Sequence, residues 1–233
     1  MADEQTEPKL RGKHPTEDLI YERLIDAIID KHLRAGEHVN EVKLAEAYDV
    51  PRSRVRRVLE RLRDEDVVIF ELNRGAFISR PTVQEARHVY EARRELELVT
   101  VKLACERATS ADINRLRAHL RFEREAFDKH DAGVNRIASN FHHLIASIAG
   151  NPVFNKMLGV LIRRGVLIQS VYERKGGVLC LTHEHEHIVN HIAENRPQQA
   201  VQEMVHHFEH ILASLDLSET RRLEADIYEF LRD

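Results

Sequence analysis

Two groups of side chains carry the chemistry that this sequence offers. Between Pro51 and Arg63 lie six arginines, at 52, 54, 56, 57, 61 and 63, against one acid, Glu60, a net of +5 over 13 residues. Guanidinium groups at that density neutralise phosphates and fork onto the O6 and N7 atoms of guanine. The second group is histidine: fifteen in the chain, with seven between His183 and His210. Imidazoles that project from several helices into one polar pocket hold a transition ion.

The arginines need a helix to aim them, and the flanking sequence supplies one. Residues 1–16 lack periodic apolar positions and are expected to form a flexible tail. Leu19, Ile20, Leu24, Ile25, Ala27, Ile28 and Ile29 then predict an amphipathic helix over 19–33, ending at the turn Arg34-Ala35-Gly36. A short second helix begins near Asn40, its N-cap, and Asp49-Val50-Pro51 interrupts it. Val55, Val58, Leu59 and Leu62 mark the buried side of a third helix, with Pro51 tolerated at its first turn. Val67–Phe70 and Ala76–Ile78, joined by Asn73-Arg74-Gly75, predict a two-stranded hairpin. Three helices and a hairpin over residues 17–80 make a winged helix-turn-helix, whose third helix enters the major groove.

On that third helix Arg52 and Arg56 are four apart and share the outward face, with Ser53 beside Arg52 to donate to a phosphate. Arg54 and Arg57 point elsewhere and suit backbone charge. Arg74 and Gly75 form the wing tip, and Arg34 is an additional phosphate candidate. A solvated arginine-rich flank is the bland alternative, against which the hairpin weighs.

Beyond Pro81 strand signals vanish. Helices are expected at 82–108, 111–130, 133–149, 152–174, 177–195 and 197–214, with a further piece in a C-terminal extension, 218–233. The fold class is therefore mostly α: an N-terminal winged helix-turn-helix followed by an all-helical bundle over 81–217. Within the bundle, helical phase selects His142, His185 and His207 for a shared site, with packing or surface roles as the alternative. By spacing, Arg93 is expected to form an ion pair with Glu97 one turn away.

These residues carry a family resemblance. Leu44-Ala45-Glu46-Ala47-Tyr48-Asp49-Val50-Pro51-Arg52-Ser53-Arg54-Val55-Arg56-Arg57-Val58-Leu59, preceded by Ala35-Gly36-Glu37, resembles the winged-helix signature of GntR-type bacterial transcription regulators. Pro51, Ser53, Arg54 and Arg57 depart from its usual recognition helix, whereas Arg52, Val55, Arg56 and Leu59 match. The resemblance implies operator contacts at Arg52, Ser53 and Arg56, and a wing-tip role for Gly75.

Residues 82–214 resemble the all-helical FCD domain that accompanies one large GntR subgroup. The marks are Glu91–Glu97, Phe141-His142-His143-Leu144-Ile145 with Ala149–Pro152, Glu184-His185 with Ile188 and Ile192, and Met204–Phe208. That resemblance implies a divalent metal (Zn, Ni or Mn) on His142, His185 and His207, and a small organic acid effector held by Arg93 and the same histidines. The family's aspartate is replaced by Ala138, which has no donor atom. Water, an effector carboxylate, Asn135 or Asn140 could complete the coordination, or the pocket takes an organic ligand without metal.

The implied protein is a ligand-responsive transcription regulator, a repressor by the family's commoner habit, that binds a palindromic DNA operator as a homodimer. Two rivals are weighed. A metal-dependent hydrolase needs a general acid or base beside the ion, and Glu184 and Glu186 are expected on other helix faces. A non-sensing architectural DNA-binding protein would discriminate sequence weakly. A formal net charge of −4 excludes indiscriminate coating of nucleic acid. Two cysteines without a CxxC pair, and no long apolar run, favour a cytoplasmic protein without a membrane segment.

Overall fold

The computed structural model describes residues 15–129, 133–174 and 182–218. Residues 1–14 of the expected tail, and all of the expected C-terminal extension past Ser218, lie outside the described residues. The chain divides into two compact units, 1–79 and 80–233.

The first unit runs α1 (Pro15–Ile29), β1 (His38–Val39), α2 (Glu41–Ala47), α3 (Arg52–Asp64), β2 (Val68–Glu71) and β3 (Gly75–Ile78). Its core joins Ile20, Tyr21, Leu24 and Ile28 of α1 to Val55, Val58, Leu59 and Leu62 of α3, with Val68, Ala76 and Ile78 from the sheet. The alternation of that apolar stripe with arginine fixes the rotation of α3: burying valines and leucines leaves the guanidiniums outside.

Asn40 caps α2, its Oδ1 accepting from the N–H groups of Val42 and Lys43 at 3.0 Å each. The turn to α3 passes through Asp49 at φ 48° and Pro51, the N-cap of α3. α1 starts at Pro15, inside the expected tail, and ends at Ile29 rather than at residue 33. Lys31 adopts a left-handed φ of 59°, and the Leu33 N–H donates to the Ala27 carbonyl at 2.9 Å, which closes the helix a turn early.

The hairpin gains an unforeseen third strand. β1 pairs antiparallel with β3, giving the order β1-β3-β2, with Val39 opposite Ala76 and Phe70 opposite Ala76 on the other side.

The second unit is all helix among its named elements: α4 (Val83–Arg107), α5 (Ser110–Asp128), α6 (Val134–Ile148), α7 (Pro152–Tyr172), α8 (Thr182–Ala193) and α9 (Pro197–Ala213). Capping boxes start α4 (Thr82 with Glu85) and α5 (Thr109 with Asp112), and Asn151 caps α7 just before Pro152. α4 packs on α6, α7, α8 and α9, while α5 packs on α6 and α8. Tyr90, Leu116, Phe141, Ile145, Ile188, Met204 and Phe208 are among its fully buried side chains. Of the span expected to start at Gly177, the described part begins at Thr182. No described helix is long and apolar enough to cross a membrane.

Candidate functional site

In the first unit, α3 presents Arg52 and Arg56 with 66% and 58% of their side chains exposed. Both lie beside Glu41, at 3.6 and 3.7 Å, and Arg56 also reaches Glu60 at 3.4 Å. The Arg56 guanidinium stands 5.3 Å from the centre of the Phe70 ring on β2, which props it against the sheet. Ser53 is exposed and Arg54 half-buried. Arg57 is committed elsewhere: its Nη2 donates to Glu17 at 2.5 Å, tying α3 to α1. Arg61, which is not among the expected contacts, does the same with Asp18 at 3.0 Å and stacks over Tyr21 at 3.7 Å.

At the wing tip Arg74 pairs with Glu71 and lies 5.0 Å from the Phe77 ring centre. Gly75 has φ 95°, a backbone conformation that favours glycine, and a Cβ there would stand 3.0 Å from the exposed His38 ring. Arg34 is exposed in the loop after α1, its backbone N–H donating to Glu37.

In the second unit, α6, α8 and α9 bring His142, His185 and His207 together, all buried. Phe141, next to His142, stacks on the His185 ring with centroids 3.9 Å apart. The Nε2 atoms converge: His185 to His207 is 3.3 Å, and His207 to His142 is 3.3 Å.

Each Nδ1 faces a buried glutamate. His142 pairs with Glu97 of α4, His185 with Glu123 of α5 at 2.9 Å, and His207 with Glu184 of α8 at 2.8 Å. A carboxylate only accepts, so each Nδ1 carries the proton and each Nε2 turns its lone pair inward. Three converging lone pairs repel unless a cation stands among them. Two nitrogens each about 2.0–2.1 Å from a tetrahedral ion lie about 3.3 Å apart. The residues present therefore fit a metal ion.

Electrostatics supports the same assignment. Burial disfavours the Glu97 charge, but His142 and Arg93 override it and bring its pKa down to about 2. Burial also disfavours charge on Glu184, yet hydrogen bonds from His207 and His210 lower it to about 2. Burial pulls His142 down to about 4 and His207 to about 3, against the opposing pull of Glu97 and Glu184. Ionised carboxylates and neutral imidazoles are the protonation states that ligate.

The role of these glutamates behind the histidines escaped the sequence reading. Glu123 carried a usable signal, because it interrupts the buried stripe Leu116, Leu120 and Ala126 of α5 with an acid. Glu184 was expected to project away from the site. It is buried instead, and its carboxylate holds His207 and the half-exposed His210. Glu186 is exposed and pairs with Arg124.

Arg93 makes the expected ion pair, its Nε donating to Glu97 Oε1 at 2.6 Å, and it is buried with its guanidinium 5.3 Å from the Phe208 ring centre. It is thus one carboxylate removed from His142. On the α7 side, a Cβ at Gly165 would stand 3.1 Å from Arg93 Nη1. Ala138, one turn before His142, contributes no ligand atom, and Asn140 is exposed.

Comparison with known proteins accords with both units. The family description "Bacterial regulatory proteins, gntR family" matches residues 16–78, and that of the FCD domain matches residues 88–210. The Nta operon transcriptional regulator of Aminobacter aminovorans is 30% identical over 136 residues, which span 58% of this chain and 65% of that regulator. The transcriptional repressor NanR of Edwardsiella tarda is 25% identical, covering 84% of each chain.

Among solved structures, a transcriptional regulator GntR from Rhodococcus sp. RHA1 superposes with a TM-score of 0.73 at 24% identity, over 87% of this chain and all of that one. E. coli McbR/YncC superposes with a TM-score of 0.74 at 18% identity, over 85% and 95%. These likenesses show the fold. With an FCD match that spans more than half of its length behind a gntR-type winged helix, the chain belongs to the GntR family of bacterial transcriptional regulators, in the group that carries an FCD domain.

Proposed function

We propose that this protein is a ligand-responsive transcription regulator that binds a palindromic operator as a homodimer. A divalent ion on His142, His185 and His207, together with a small organic acid, modulates its DNA affinity. The convergence of three Nε2 atoms, with His207 3.3 Å from each of the other two and each imidazole fixed from behind by a buried glutamate, carries this reading. Such a centre is expensive to bury unless it binds something.

A bound Zn, Ni or Mn ion supplies a positive charge to which an effector carboxylate can attach. The chain supplies the rest. The three imidazoles donate lone pairs, and Glu97, Glu123 and Glu184 fix their tautomers. Arg93 sits behind Glu97, which matches its charge, and its remaining guanidinium N–H groups would receive an effector carboxylate. Because Ala138 gives no ligand atom, positions around the ion stay available to water or to that effector.

In the winged unit Arg52, Ser53 and Arg56 read or grip the major groove. Arg54, Arg34, Arg74 and Gly75 follow the backbone and wing, while Arg57 supports α3 through Glu17. Two-fold symmetry would double this short reading surface. Effector binding shifts the regulator between arrangements of unequal operator affinity. Relief of repression is the expected sign, and the relative named a repressor supports it.

The test is a titration of protein purified without added metal. Metal content by mass spectrometry, mass in solution, and operator affinity with and without zinc and citrate are measured on one preparation. One ion per chain, a dimeric mass and a metal-dependent change in operator affinity are expected. Full operator affinity unaffected by any metal or acid would overturn the sensor reading.

A further inference from the structure

The reading arginines have one acid in common, Glu41, and Arg56 also meets Glu60 of its own helix at 3.4 Å. Glu41 is the first residue of α2, immediately after the Asn40 cap, and its side chain is only 13% exposed. Its Oε2 lies 3.6 Å from Arg52 Nη2 and its Oε1 lies 3.7 Å from Arg56 Nη1. One carboxylate therefore spans the two outward guanidiniums that stand a turn apart on α3. The two ion pairs are long compared with the roughly 2.7–2.9 Å of strong charge-assisted hydrogen bonds, so DNA can loosen them readily.

We infer that Glu41 is a discriminating residue for DNA: it positions Arg52 and Arg56 for base edges and repels phosphates from the same place. This inference rests on α3 being the reading helix. A guanine edge presents lone pairs to a guanidinium but carries no net charge, so it competes with Glu41 only for hydrogen-bonding geometry. A phosphate brings a full negative charge to within a few ångströms of a fixed carboxylate. Like-charge repulsion then opposes the contact, and the partly buried position of Glu41 weakens screening by salt. The acid therefore costs more in random duplex, where phosphate contacts dominate, than on a site whose bases accept the guanidiniums.

Arg57 and Arg61 define the contrast. Their acids, Glu17 and Asp18, belong to α1 and bind at 2.5 and 3.0 Å, which brace α3 in place. Glu41 makes no such close contact with the guanidiniums that it spans. Its spacing orients without locking.

The test uses the full chain, Glu41→Gln and Glu41→Asp, with a duplex selected from a random pool by the wild type and a scrambled duplex of equal length. Affinities are measured over a salt series, with thermal unfolding alongside. Glu41→Gln is expected to bind scrambled duplex about 5- to 10-fold more tightly, with a smaller gain or a loss on the selected duplex. Its salt dependence on scrambled duplex should steepen by about one counterion. Glu41→Asp, which keeps the charge, should retain most of the discrimination.

An unchanged affinity ratio and salt slope for Glu41→Gln would overturn the inference, as would equal weakening on both duplexes with a lowered unfolding midpoint. A wild type that retains no duplex at any salt would remove the DNA-reading assignment together with the inference. Failure of the variant test alone leaves that assignment standing.

Discussion

The reading face and the histidine centre use the same elementary interaction, an acid beside a base, in opposite ways. On α3 the pairs are exposed and, at Arg52 and Arg56, long enough to exchange for a DNA contact. In the bundle the pairs are buried and short, and they hold imidazoles in one tautomer. A surface that must release its partners keeps them loose and wet. A centre that must keep a fixed donor geometry buries them, because charge interactions strengthen where water is absent.

Breaking one partner in each region should expose that difference most clearly. Glu97→Ala leaves Arg93 as an uncompensated buried charge and His142 without its acceptor. It should destabilise the protein by about 3–5 kcal/mol in denaturant unfolding. Glu17→Ala frees the exposed Arg57 and should barely move the same transition. Comparable losses from the two variants would erase the distinction.

Metal binding sharpens the comparison next. His207→Ala removes the imidazole that stands within 3.3 Å of both others and should abolish tight zinc binding in a calorimetric titration. Glu123→Ala removes only the support behind His185 and should weaken zinc by about 10–100-fold. Neither should alter the salt dependence of DNA binding, which belongs to the arginines.

A smaller effect is expected from Arg56→Ala. Discrimination between selected and scrambled duplex should fall by about 1–3 kcal/mol if the guanidinium reads a guanine. An equal loss on both duplexes in an anisotropy assay would assign Arg56 to phosphate.

Acid provides the mildest test. Burial pushes the His142 and His207 imidazoles down from the usual 6.5 to about 4 and about 3. Between roughly pH 6.5 and 4 the unfolded chain takes up protons that the metal-free native state refuses, so stability falls as pH falls through that window. Urea midpoints at pH 7 and 5 should show this loss in the wild type and less of it in His207→Ala, while a stability that rises toward pH 5 would contradict it.

Much of this was legible in the sequence where one physical signal dominated. The apolar stripe of α3 announced which way its arginines face, and Asn40, Asn151 and Pro152 marked helix starts by hydrogen-bonding rules that act over a few residues. The three histidines were legible by helical phase and by family resemblance. Glu97 and Glu184 were not assigned their roles, because partners 45 and 23 residues away decide them. β1 was invisible for a different reason: two residues cannot show an alternation, and His38–Val39 becomes a strand only because β3 offers a free edge.

Gly165 has a consequence for variation in this protein. The clearance between α7 and the Arg93 guanidinium is set by a hydrogen atom, and even a methyl group there would crowd the cation. Arg93 leans on Glu97, and Glu97 on His142, so the displacement would pass through two contacts to the His142 imidazole. The calibration of the centre thus depends on the one residue of the series that has no side chain to offer.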